Sequence, residues 1–102
     1  MSFFMNTHLR GLHFYRIIPE AGDKLTCDLD PFWDDGKCVR VRDSLLRVVG
    51  HIAVEDCEKV AQELKDGKKA FVIIPEGSKE YNYWCEEAGP KGVVMDVEIH
   101  VQ

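Results

Sequence analysis

Residues 48–75, VVGHIAVEDCEKVAQELKDGKKAFVIIP, read as strand, helix, strand, and they set the expectation for the fold. Val54, Cys57, Val60, Ala61 and Leu64 recur three and four residues apart and share one helical face. Glu55, Glu58, Lys59, Gln62, Glu63 and Lys65 fill the other face. Glu55 and Asp56 stand in the first turn and Lys65, Lys68 and Lys69 at or beyond the last, the arrangement that a helix dipole favours. Gly67 suits a left-handed cap. The apolar run Ala70 to Ile74, ended by Pro75, fits a strand buried on both faces. Arg47 to Ala53 reads as a strand before the helix. If the two strands pair in parallel, the helix is a right-handed crossover between them.

Outward from this unit, the chain of 102 residues is expected to form one domain over 1–102 with one core. At 45% hydrophobic and 30% charged it has an ordinary globular composition. No apolar run is long enough for a transmembrane helix, and MSFFMNTHLRG lacks the regions of a signal peptide. Met5 is a candidate alternative start that would leave MSFF as an extension. Cys27, Cys38, Cys57 and Cys85 are widely spaced, which fits small core residues in a reducing, cytoplasmic setting.

On the N-terminal side, Leu9 to Ile18 reads as the first strand, ended by Pro19. Residues 20–37 form the least regular segment, with six acids against two lysines, and carry most of the net charge of −5. In CVRVR, Val39 and Val41 alternate with Arg40 and Arg42, the pattern of a half-solvated strand, with Asp34-Asp35-Gly36 as a candidate hairpin turn. Ser44 to Val49 fits either a helical turn or the start of a strand. On the C-terminal side, Glu76-Gly77-Ser78 makes a turn. Ser78 is a candidate cap for a second helix over Lys79 to Ala88, with Tyr81, Trp84, Cys85 and Ala88 on one face. The last strand, Val93 to Val101, turns Val93, Met95, Val97, Ile99 and Val101 to the core and Val94, Asp96, Glu98, His100 and Gln102 outward, mostly to solvent. The expected fold is α+β: a two-layer sandwich with a mixed four- or five-stranded sheet and two helices on one face.

Chemistry is sparse. The cysteines and histidines lack the close ligand pairs of a zinc site, and His8 and His13 would point to opposite faces of a strand. Asp28, Asp30, Asp34 and Asp35 lack the ligand order of a calcium loop. No phosphate-binding glycine motif is present. Neither a metal nor a cofactor is expected. A pairing of His51 with Cys57 as base and nucleophile competes with simple burial of Cys57, which its apolar helical face favours. A pI of about 5.3 argues against nucleic acid as a partner.

Two function classes remain. The first is a small binding or regulatory protein working through protein contacts or as a homodimer. It resembles in size and charge the small inhibitors encoded by phages or mobile elements. Its expected partner surface is the acidic, aromatic loop with Asp28, Asp30, Phe32, Trp33, Asp34 and Asp35. The second is a small-ligand-binding domain or small enzyme for a metabolite or nucleotide, with a pocket near Arg42, His51, Tyr81, Tyr83 and Trp84. No convergent catalytic set supports the second.

Overall fold

The structure, a computed structural model, describes residues 3–29, 39–85 and 89–102. Its strands are β1 Phe3–Arg10, β2 Leu25–Leu29, β3 Val39–Arg42, β4 Val48–Ile52, β5 Ala70–Ile73, β6 Tyr81–Cys85 and β7 Gly89–Val101. A single helical turn, α1 Leu12–Tyr15, follows β1, and the longer helix α2 Val54–Lys65 lies between β4 and β5. Every strand pairing is antiparallel. The order β1-β4-β3-β2-β5-β7 returns to β1 through the β1–β7 pairing, so six strands close into a barrel.

The strand β6 continues this wall. Val94 of β7 pairs with Arg10 of β1 on one side and with Tyr81 of β6 on the other. Val101 pairs with Phe3 and with Ala70 in the same way. The strands β5 and β6 therefore follow one another along the same edge of β7, interrupted by residues 74–80.

Alternation decides what faces inward. Leu9, Val39, Val41, Val49, Val72, Met95, Val97, Ile99 and Val101 fill the barrel interior, and most of their strand neighbours point out. Val94, expected on the solvent side, is instead buried, at the point where β7 is flanked by both β1 and β6. The strand β1 meets β4 only at Leu9↔Ile52 and Arg10↔His51. Alongside the rest of β1 the helix α2 takes over. Thr7 donates its hydroxyl hydrogen bond to Asp56 at 2.5 Å, and Lys59 Nζ sits 4.7 Å from the Phe3 ring centroid. The buried side of α2, with Cys57, Val60 and Ala61, packs towards β2 and β3 and joins the barrel core.

The α+β sandwich is thus corrected to a closed antiparallel barrel made mostly of strands. The strand–helix–strand reading of residues 48–75 holds as local structure, but β4 and β5 are not neighbours, and no parallel crossover forms. The run from Ala70 to Ile74 alternates in burial, because a barrel wall has one dry face, and Ile73 stays 40% exposed. The first strand lies earlier than expected and includes Phe3 and Phe4. Gly11 at φ +84 and Arg16 at φ +59 bracket α1, and both left-handed residues break an extended run from Leu9 to Ile18. Residues 81–85 of the expected second helix form β6. Tyr, Asn, Tyr, Trp and Cys are poor helix formers, and the N-terminal half of β7 needs a partner strand. Leu25–Leu29, expected in a loop, form β2 because Leu25 and Cys27 alternate into the core. For residues 44–49 the strand reading holds from Val48 onward.

Candidate nucleic-acid interface

The outward-facing residues of adjacent strands line up in rows. One row crosses five strands in direct register: Phe4 of β1 opposite His100 of β7, His100 opposite Phe71 of β5, Phe71 opposite Thr26 of β2, and Thr26 opposite Arg42 of β3. The three rings are stacked. Phe4 and His100 lie 5.4 Å apart at 16°, and Phe71 and His100 lie 5.5 Å apart at 10°. Phe4 ends this stack and is 61% exposed. At its level β1 has no register partner in β4, so among the described residues no strand flanks it on that side. Beside the row, Lys69 and Gln102 extend the β5–β7 ladder through paired backbone hydrogen bonds of 3.1 and 2.8 Å. Both are exposed, and alternation puts them on the same face as Phe71 and His100.

A second row carries charge: Arg10 opposite His51, His51 opposite Arg40, and Arg40 opposite Asp28. The Arg40 guanidinium makes a two-pronged contact with Asp28, both bonds 2.9 Å, and Arg42 Nε reaches the same carboxylate at 3.3 Å. Two cations thus share one anion. Tyr15 Oη lies 3.3 Å from His51 Nδ1. Glu55 links Arg10 (3.2 Å) and His8 (3.3 Å).

The Glu55 carboxyl is held below its ordinary value, chiefly by its hydrogen bond with its own backbone N–H at the start of α2. Partial desolvation opposes this, and the charges of Arg10 and His8 add to it. A carboxyl lowered by folding stabilises the fold above its unfolded value, and that contribution disappears as pH falls through the folded value. Glu55→Gln is therefore expected to cost about 0.5 kcal/mol at neutral pH, the scale of a half-exposed ion pair. The loss in Tm should shrink on titration towards pH 3. A loss that stays constant between pH 7 and pH 3 in thermal melts would count against this account.

The expected pocket does not assemble as a unit. Arg42 and His51 lie on adjacent strands but in different rows, since Arg42 pairs with Val48 and His51 with Arg40. Tyr81 is on β6, separated from β4 by β7 and β1, and its hydroxyl donates to Asp96 at 2.8 Å. Tyr83 and Trp84 are residues of β6. Of the expected partner loop, Asp28 belongs to β2 and is engaged by Arg40 and Arg42, while Asp30, Phe32, Trp33, Asp34 and Asp35 lie outside the described residues. Among the described residues no group of three or more His, Cys, Asp or Glu could hold a metal ion, and no helix is long and apolar enough to cross a membrane. His51 and Cys57 do not read as a catalytic pair. Cys57 is buried with its thiol donating to the Ile52 carbonyl at 3.2 Å, and His51 faces Tyr15. Burial, with Asp28 and Cys57 nearby, pushes the Cys27 thiol up to about 12, so it is an inert core residue.

Sequence reasoning missed Phe4 and Phe71. The available signal was the adjacent pair Phe3-Phe4, of which alternation must expose one, and Phe71 at an even step from the exposed Ile73.

No family model matches the sequence, and no curated protein matches it. Among solved structures the chain is similar to the HIRAN domain of human HLTF, with a TM-score of 0.70 and 15% identity over 96% of this chain and 74% of that one. At that identity the likeness is one of fold. With this neighbour two expectations are given up, that of a regulator or inhibitor acting through protein contacts and that of a chain without a nucleic-acid partner. The physical reason is that net charge is a global sum. A chain at −5 can still place Arg10 on β1 and Arg40 and Arg42 on β3, paired with Glu55 and Asp28, on the wall that carries the aromatic stack.

Proposed function

We propose that this barrel binds single-stranded nucleic acid across the row formed by Phe4, His100, Phe71, Thr26 and Arg42. The stacked, outward-facing rings carry the reading, and the HIRAN-like fold supports it. A base placed against the exposed face of Phe4 continues an existing stack, and every base has a π-face to offer, so such binding tolerates sequence. Arg42 and Lys69 supply cations for phosphates at the end and along one side of the row. Five strands at about 4.8 Å spacing span roughly 19 Å, suited to a site of a few nucleotides.

With few phosphate contacts and an overall negative chain, stacking outweighs charge. A fluorescently labelled twelve-nucleotide thymidine strand should show saturable anisotropy at low salt. Its affinity should fall only gently with salt, with a log–log slope of about −1 to −2, as roughly two phosphate contacts give for single strands. An absence of saturable binding to single-stranded DNA or RNA up to about 1 mM protein, beyond the usual range of non-specific affinities, would overturn the proposal.

A further inference from the structure

The most exposed large apolar side chains among the described residues lie side by side in the turn between β3 and β4, where Leu45 is 70% and Leu46 67% exposed. The turn is rigidly held. The Asp43 amide donates to the Arg47 carbonyl at 3.0 Å, and the Leu46 amide donates to the Asp43 carbonyl at 2.9 Å. The Asp43 carboxylate accepts from the Leu45 and Arg47 amides at 3.0 and 2.9 Å and from the Arg47 guanidinium at 2.8 Å. Partial desolvation raises the Asp43 carboxyl, but these hydrogen bonds and the Arg47 charge outweigh it and hold it below the ordinary range. Leu46 has φ +64, a conformation that Gly or Asn adopts readily and that is unfavourable for a branched side chain. Neither leucine contributes to the core, so folding gains nothing from two leucines at this tip. The tip is continuous with the proposed interface, because Arg42, which ends the row, donates from Nη1 to the Leu46 carbonyl at 3.1 Å.

We infer that Leu45 and Leu46 form a wedge that rests against the last base pair where a single strand lying on the row enters a duplex. The chain would then prefer a single-strand/duplex junction to a plain single strand. This rests on the row being the single-strand site. The occupant is chosen by chemistry. The face of a terminal base pair is flat and apolar, and leucine side chains inserted at base steps displace stacking. Arg47, paired with Asp43 but 56% exposed, and Arg42, which shares Asp28 with Arg40, stand at the base of the tip, where phosphates flanking that base pair would exchange with the carboxylates. A clamped turn delivers such a wedge without first having to be ordered.

The test compares a labelled twelve-nucleotide strand with the same strand as an overhang on a ten-base-pair duplex, with 2-aminopurine in the terminal pair. The wild-type chain should bind the junction about fivefold or more tightly, on the order of 1 kcal/mol by the affinity relation, and should brighten the 2-aminopurine. Leu45→Ser with Leu46→Asn should bring the ratio to about one at unchanged single-strand affinity. Asparagine tolerates the left-handed conformation, so the fold should survive, and Leu45→Ser alone provides a variant that leaves that position untouched. Equal affinity of the wild-type chain for the two substrates, or a ratio retained in both variants, would overturn the wedge. So would self-association that these substitutions abolish, since the tip would then serve a second copy of the chain. Intact single-strand binding without junction preference removes the wedge alone. Loss of all single-strand binding by the wild-type chain removes the row reading with it.

Discussion

Replacing Phe4 and Phe71 together with alanine is expected to reduce single-strand affinity by about 2 to 6 kcal/mol, which moves measurable binding out of range. Each stacked base contributes on the order of 1–3 kcal/mol by alanine substitution. The two rings flank His100 on opposite sides, so they are not independent, and the double variant should depart from the sum of the single ones. Thermal stability should change much less than affinity, since Phe4 is largely exposed and neither ring belongs to the buried core. Phe4→Trp separates stacking from mere bulk, because a larger π-face should preserve or raise affinity where alanine abolishes it. Anisotropy titrations of the wild-type chain and the four variants decide the matter. An affinity unchanged in the double variant would overturn the row as the proposed single-strand site.

Gly50→Ala is expected to be the most damaging single methyl addition in the described chain. A Cβ at Gly50 would lie 2.6 Å from the Arg10 carbonyl oxygen, 2.9 Å from Leu9 Cδ1 and 3.0 Å from Leu9 Cγ. The nearest of these atoms is backbone, and Leu9 is fully buried, so neither can swing aside cheaply. The crowding falls at the seam where β1 joins β4, through Leu9↔Ile52 and Arg10↔His51. Relief requires pushing β1 outward and opening the barrel. The cost should be about 3 kcal/mol, the upper end for overpacking a close-packed site, or roughly 12 °C or more in Tm for a domain of this size. Gly67→Ala is the control. Gly67 has φ +86, but nothing lies within 4 Å of its built Cβ, so only the backbone conformation is penalised, by about 1 kcal/mol. Circular-dichroism melts showing Gly50→Ala no worse than Gly67→Ala would mean that the seam relaxes freely.

What could be read without the structure was local. The helix from Val54 follows from apolar spacing and needs no side-chain cap, since none is made at Ala53. The inward valines of β3 and the alternation of β7 from Met95 to Val101 follow from a period of two in the sequence, which fails at the buried Val94. His100 was placed on the outward side of the last strand by the same rule. The errors came where two periods compete or where a neighbour decides. Residues 81–85 satisfy a helical face on paper, yet β7 supplies a ladder that only a strand can use. The apolar run of β5 was read as doubly buried because composition does not record that its outer face meets solvent and aromatic rings.

By itself the sequence determined which residues of β3 and most of β7 alternate, where the longer helix lies, and that Cys57 belongs to the interior. Only the tertiary structure decided that the strands close into a ring. It also decided which strands are neighbours, and that positions 4, 26, 42, 71 and 100 stand in one row. The reason is physical. Alternation is written within each strand, within a few residues. Register between strands far apart in the chain is fixed by the shared burial of Leu9, Val41, Val72, Val97 and Ile99 in one interior, an interaction that exists only after the barrel has closed.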